Sequence, residues 1–356
     1  MNEAEMDFEK RVMLAEVAQQ PAFVAEALTP MLASIRGAFA GRAEGPRLIY
    51  LIGCGDSLAV AIATRRYVAK HTGLSAHAVQ SFEFSHYVAD TLGADAAVFA
   101  ISNSGSVAST LEGARRAKAA GAWTVAITAN PDSKLADICE TTVLVEAPQN
   151  FKTAPDGRTL VTPGTITYTA SVLGALLAGL ALGEARGRPI DAELGALTKL
   201  PALMGEADAR TREAAKRWAP TFTGERKIVF VGGGPGFATA YFAAAKWFEG
   251  LGEPAHAAMM EEWAHQQYFF TGPDTDTVFI MPAGPSRTRA LEHMGAARNM
   301  GARIIAVAAH DDADAAAAAD IVFATPNGVP EDLATLVDKA PLELLSCFAS
   351  QARGKT

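Results

Sequence analysis

Two stretches far apart in the chain are built to one plan. "RLIYLIGCGDSLAVAIATRRYVAK" (47–70) is a short apolar strand, a glycine turn and a helix, and "KIVFVGGGPGFATAYFAAAKWFE" (227–249) has the same form. Gly53 and Gly55 correspond to Gly232 and Gly234. Further on, "AAVFAISNSGSVASTLEGARRAKAAGAWTVAIT" (96–128) matches "DTVFIMPAGPSRTRALEHMGAARNMGARIIAVA" (276–308). Leu111, Glu112, Gly121 and Val125 recur there as Leu291, Glu292, Gly301 and Ile305. The offset between the copies hardly changes, which indicates a duplicated domain.

Each copy alternates strand and helix. The runs "LIYLIG", "AAVFAIS", "WTVAIT" and "TTVLVE", then "KIVFVG", "DTVFIM", "RIIAVA" and "DIVFAT", are continuously apolar, as strands are when both sheet faces are covered. Two doubly wound parallel-sheet α/β domains (three-layer α/β/α) follow in tandem, with four recognisable strands apiece. A helical segment over 1–40 precedes the first domain (41–199), and Pro21 marks a break or a helix start within it. The charged, alanine-rich stretch 185–225 joins it to the second domain (200–356). "TASVLGALLAGLALG" (169–183) reads as a buried helix and as weak support for dimerisation.

At 356 residues with 49% hydrophobic side chains, the chain can build two sizeable cores. Its net charge of −8 and lack of a Lys/Arg stripe speak against nucleic-acid or anionic-membrane partners. Cys54, Cys139 and Cys347 have no ligand spacing, so neither a metal site nor a disulfide framework is expected, and a reducing cytoplasm fits. The acids of "MNEAEMDFEKRVM" do not suit a signal peptide.

Chemistry concentrates at strand exits. In open α/β sheets, ligands bind beyond the carboxyl ends of the strands, where a helix N-terminus offers free N–H groups and a positive dipole end. In "ISNSGS", Ser102, Asn103 and Ser104 add donors, and Gly105 lets the backbone approach an anion. An ordinary serine cap explains one such residue, not four polar positions around a glycine. The other copy has Pro282, Ala283 and Pro285 there, so one half reads as binding and the other as scaffold. "GCGDS" and "GGGPG" lack the third glycine of a dinucleotide fingerprint and an acid at the end of a following strand. "GGGPG" then reads as a tight turn only, whereas Asp56 and Ser57 give "GCGDS" groups for binding hydroxyls.

Together, "ISNSG", "LEGARRAKAAGA", "TVAIT", "GCGDS" and "SFEF" (81–84) resemble the SIS (sugar isomerase) domain. Two in tandem resemble the isomerase half of glucosamine-6-phosphate synthase, the agaS-type isomerases and the fructosamine-phosphate deglycases. The likeness runs over nearly the whole chain. It implies that Ser57, Ser102, Asn103 and Ser104 hold a sugar phosphate, with Asp56, Thr162 and Gly164 at sugar-contacting positions and the loop "EAPQNFKTAPDGR" shaping the pocket. It implies Glu249 as the base moving a proton between neighbouring carbons, and His265 as the ring-opening group of a neighbouring subunit. Lys246 and Glu262 match supporting residues. Proton abstraction beside a carbonyl suits a carboxylate in a desolvated setting, and Trp247, Phe248 and Leu251 suggest one; by residue type alone a solvated helix-end Glu249 and an ordinary half-buried His265 are the better reading, and it is the resemblance that reverses it. His71, His77, His86, His256, His293 and His310 fit no ligand spacing.

Departures from the resembled pattern bear on the reaction. The family usually has Thr where Asp56 and Val107 stand, and the synthase has Glu where Phe242 stands. The synthase's closing tail would begin about where "ARGKT" ends the chain, and no glutamine-using domain is expected. The implied activity is isomerisation, deamination or deglycation of a ketose or amino-sugar 6-phosphate, without cofactor or metal, in a cytoplasmic homodimer. A non-catalytic phosphosugar sensor and a nucleotide-binding protein are the alternatives.

Overall fold

The computed structural model describes residues 3–42, 44–148 and 163–354. Apolar runs become strands, as expected. β1 (Leu48–Gly53), β2 (Ser75–Gln80), β3 (Ala96–Ile101), β4 (Trp123–Thr128) and β5 (Thr141–Leu144) pair in parallel in the order β2-β1-β3-β4-β5. β6 (Lys227–Gly232), β7 (His256–Met259), β8 (Thr275–Met281), β9 (Arg303–Ala309) and β10 (Ile321–Thr325) form a second parallel sheet, β10-β9-β8-β6-β7. Read from the other edge, this is the same order. Each sheet thus has one strand more than the apolar runs reveal. β2 and β7 are edge strands, exposed or half-buried at nearly every position, and their sequences "SAHAVQ" and "HAAM" form no apolar run.

The helices, in chain order, are α1 (Glu3–Ala38), α2 (Asp56–Thr72), α3 (Ser81–Glu83), α4 (Ala108–Ala119), α5 (Lys134–Ile138), α6 (Ile166–Ala185) and α7 (Asp191–Trp218). Then follow α8 (Pro235–Leu251), α9 (Met260–His265), α10 (Arg287–Asn299), α11 (Ala313–Ala318), α12 (Thr335–Asp338) and α13 (Ala340–Ala352). α1 corrects the expectation of a break or start at Pro21: it runs unbroken through that residue and Pro30. Proline removes one backbone donor, and burial of Val17, Gln20, Phe23 and Val24 around it holds the helix together. The chain divides into two compact units, one of residues 22–148 and 166–199, the other of the described residues in 3–21, 163–165 and 200–354.

In the second unit alternate strand residues feed separate cores. Phe230, Val278, Ile280, Ile305 and Val307 pack with Trp247 and Leu345. Val229, Val231, Phe279, Ile304 and Ala306 pack with Trp263 and Met294. In the first unit α6 is long and apolar enough to cross a membrane, yet 94% of that stretch is buried inside the protein. Glycines let it press on α2: a Cβ at Gly179 would stand 2.9 Å from Val68 Cγ2, and one at Gly183 would overlap the His71 carbonyl. Burial on all sides also withdraws the support this helix was expected to lend to dimerisation, since it presents no free apolar face.

Candidate functional site

The exits of β1 and β3 build one polar mouth. After β1 the chain reverses through Gly55 (φ 56°, ψ −127°), a backbone that side-chain-bearing residues rarely adopt. The Ser57 N–H donates to the Cys54 carbonyl at 3.1 Å and the Leu58 N–H to Gly55 at 2.9 Å. A Cβ on Gly53 would lie 2.5 Å from the Ser57 backbone. This tight packing puts Asp56 and Ser57 in the first turn of α2, at its positive end.

After β3, the Ser102 N–H donates to the Ile127 carbonyl at 3.0 Å, and the Asn103 carbonyl accepts from the Ala129 N–H at 2.9 Å and Thr128 Oγ1 at 3.1 Å. These bonds pin the turn to the exit of β4. Gly105 has φ 61°, and a Cβ there would overlap the Ser133 hydroxyl. The hydroxyls of Ser104 and Ser106 lie 2.8 Å apart. None of these side chains caps α4; its N-cap is Val107, which has no capping side chain and is 38% exposed. The polar run therefore does not serve as a helix cap. Ser102 is 1% exposed, and its Oγ and Asn103 Nδ2 are buried without a hydrogen-bond partner among the described residues. A buried donor of that kind costs free energy unless something comes to meet it.

Gln80, which residue patterns did not single out, ties the mouth together. Its Oε1 accepts from the Phe82 and Glu83 N–H groups, at 2.6 and 3.0 Å, and its Nε2 donates to Cys54 Sγ at 3.5 Å. Cys54 Sγ lies 3.3 Å from Ser109 Oγ, and Ser81 Oγ 2.9 Å from Thr110 Oγ1. The only signal in the sequence is a polar residue ending a strand. Gly164 stands two residues before α6, partly exposed, and Thr162 lies outside the described residues, as does most of the loop expected to shape the pocket.

In the second unit, Lys246 is fully buried on α8; its Nζ donates to Glu249 Oε2 at 2.5 Å and stands 5.0 Å from the centre of the Phe242 ring. Ser346 of α13 fixes the Lys246 carbonyl at 2.8 Å. The desolvated setting expected for Glu249 is not found in this unit: its side chain is 41% exposed, because Trp247 turns inward while Phe248 points out. His265 ends α9 and is exposed, and Glu262 accepts from Gln266 Nε2 at 2.8 Å. Connectivity separates Glu249 from His265. α8 returns from the carboxyl edge of the sheet, so Glu249 lies near the amino edge where β7 begins; α9 starts where β7 ends.

Beyond α8 lies a buried charged cluster. Lys339 Nζ donates to both Glu343 oxygens at 2.9 Å and to Gln20 Oε1, while Gln20 Nε2 reaches Glu343 at 3.2 Å. Burial pushes the lysine below and the glutamate above its ordinary range. Burial also raises the Asp338 carboxyl to about 7, against a hydrogen bond from Thr325. Among the described residues no group of three or more His, Cys, Asp or Glu side chains is placed to hold a metal ion.

Residues 45–170 match the SIS domain family. Over 356 aligned residues the chain is 26% identical to the glutamine–fructose-6-phosphate aminotransferase (isomerizing) of Mycolicibacterium paratuberculosis, covering 96% of this chain and 55% of that protein. The chain thus spans about half the length of the curated relatives it matches. Its fold is that of the C-terminal domain of glucosamine-fructose-6-phosphate aminotransferase from Francisella tularensis: TM-score 0.81, 19% identity, 97% of this chain and 96% of that one covered. Tagatose-6-phosphate ketose/aldose isomerase from Escherichia coli shares it too, with TM-score 0.76, 17% identity and coverage of 96% and 93%.

Proposed function

We propose that this chain is a phosphosugar enzyme of isomerase type, two tandem SIS domains that act beside the carbonyl of a ketose or amino-sugar 6-phosphate. The observation that carries this reading is the pair of buried, unpartnered polar atoms, Ser102 Oγ and Asn103 Nδ2, at a strand exit beside a helix N-terminus. Ser57, Ser102, Asn103 and Ser104 hold the phosphoryl group, and Asp56, Thr162 and Gly164 face the sugar. His265 of a second subunit opens the ring, taking the proton of the anomeric hydroxyl and giving one to the ring oxygen. Glu249 then removes the proton beside the carbonyl; the electron pair passes to the carbonyl oxygen, which takes the proton of the neighbouring hydroxyl, or amine for an amino sugar, and Glu249 returns its proton to the former carbonyl carbon as the neighbouring carbon becomes the carbonyl or imine. Lys246 supplies the counter-charge for that carboxylate, and Glu262 supports the His265 helix. No cofactor is called for, because the carbonyl is the electron sink, and the working form is a cytoplasmic homodimer.

The test is proton exchange. Incubation with fructose 6-phosphate and a panel of ketose and amino-sugar phosphates in D₂O is expected to place deuterium at the carbon beside the carbonyl. Glu249→Gln is expected to abolish exchange while phosphosugars still raise the Tm. Undiminished exchange in that variant would refute the base assignment. The half-exposed Glu249 and the exposed Val107 at the mouth favour one second reading, a non-catalytic phosphosugar-binding regulator. Binding across the panel with no exchange from any member would establish it.

A further inference from the structure

The second sheet carries the backbone frame of the same mouth. Gly234 precedes α8 with φ 53° and ψ −128°, within a few degrees of Gly55 (φ 56°, ψ −127°). The turn bonds recur as well: the Gly236 N–H donates to the Gly233 carbonyl at 2.9 Å and the Phe237 N–H to Gly234 at 3.1 Å. What differs is the filling. In the turn after β8, a Cβ on Gly284 would overlap the carboxylate of Glu331, and Glu331 Oε1 lies 3.8 Å from the corresponding point on Gly234. One carboxylate therefore reaches both turns, the one after β6 and the one after β8. Ser286 also enters, its Cβ 2.6 Å from where Gly233 would carry one, and its Oγ is buried without a partner among the described residues. Arg287, at the start of α10, is held by Asp312 at 2.6 and 2.7 Å and by Asp314 at 2.8 Å.

We propose that Glu331 is a built-in anion, whose carboxylate takes in the second sheet the place that a phosphoryl group takes in the first. The phosphate reading of the first mouth is used here for that comparison alone. Helix N-termini favour negative charge, so an internal carboxylate satisfies a seat that would otherwise attract a soluble anion. Glu331 opens the turn Glu331–Leu333, which leads through α12 into α13, so the same contact fastens this segment to the start of α8. Each chain is left with one seat for a phosphoryl group.

Deleting the carboxylate and supplying it from solution tests this. Glu331→Gly is expected to lower the Tm by about 2–6 °C. Sodium formate or inorganic phosphate should then restore it along a saturating curve, beyond any response of the wild type to the same anions. Glu331→Gln, which fills the seat without charge, should respond much less. An unchanged Tm in Glu331→Gly, or the same anion response as the wild type, would overturn the proposal. Should that variant fold only with added anion, refolding yield against formate concentration is the readout: a saturating rise supports the seat, a flat line overturns it. The proposed function rests on the first mouth and on no contact of Glu331, so failure here leaves it untouched. Loss of the wild type's own response to phosphosugars would count against that function and not against Glu331.

Discussion

Ser102 and Asn103 hide polar atoms that the folded chain does not satisfy among its described residues. Such groups cost about 1–3 kcal/mol each, which makes sense for residues that serve a ligand. Ser102→Ala is therefore expected to leave the free protein as stable as before, or up to about 1 kcal/mol more stable, while phosphosugar affinity falls about tenfold. Urea melts and isothermal titration check the two halves; a destabilised variant with unchanged affinity would make the hydroxyl part of the scaffold. The pair stands out in the sequence because a helix cap accounts for one of several polar residues around a glycine at a strand exit, and no more. Gln80 does not stand out, because its role lies in a bond to Cys54 across 26 positions of chain. Nor does Asp338, which in "TLVDKAPLELL" reads as the polar side of a helix yet is 4% exposed. Its carboxyl, raised from 3.8 to about 7 by burial, keeps its proton in the folded state over a range where the unfolded chain releases it. Stability thus falls as pH rises through that window and levels off above it. Asp338→Asn should match the wild type near pH 4 and exceed it by about 1–4 kcal/mol at pH 8, in urea melts at both pH values. A difference independent of pH would refute this account.

Among elements, α6 was readable because it is apolar on every side, as only a core helix or a membrane span is. Strands flanked on both sides by others were readable for a related reason: every residue of β3, β4 and β8 is buried. β2 and β7 escaped notice because "SAHAVQ" and "HAAM" carry little apolar sequence, whereas β5 and β10, at the opposite edges, are apolar. The closeness of α6 to α2 is likewise invisible until glycines in one helix are set against the other. Gly183→Ala forces a methyl group into the His71 carbonyl and is expected to destabilise by about 1–3 kcal/mol, although alanine is the better helix former. Gly195→Ala in α7, with nothing within 4 Å of the new methyl, should instead stabilise by about 0.5–1 kcal/mol. Opposite signs in chemical denaturation would tie the first loss to packing; a gain at both positions would mean that α6 yields.

At the scale of the molecule, the repeated strand and turn pattern made the plan legible and also concealed how the two sheets differ. The two sheets share strand order and the geometry of the turns at Gly55 and Gly234, so the backbone there does not tell their strand exits apart; the side chains differ. The plan also separates Glu249 from His265. α8 carries the chain about 20 Å, at 1.5 Å per residue from Pro235 to Glu249, toward the amino edge of the second sheet. His265 follows β7 at the carboxyl edge, so the glutamate and histidine of one chain lie at opposite ends of β7. If each site takes these residues from two chains, inactive variants should complement one another. In a dimer of Glu249→Gln with His265→Asn, one site receives both substitutions and the other receives neither. Unfolding and refolding an equimolar mixture gives mixed dimers as half the population, so turnover should recover to about a quarter of the wild-type value. With both residues drawn from the same chain, every site in the mixture would lack one group and turnover would stay at the level of the separate variants. Recovery that scales with the mixed fraction, followed by titrating one variant into the other, separates the two arrangements.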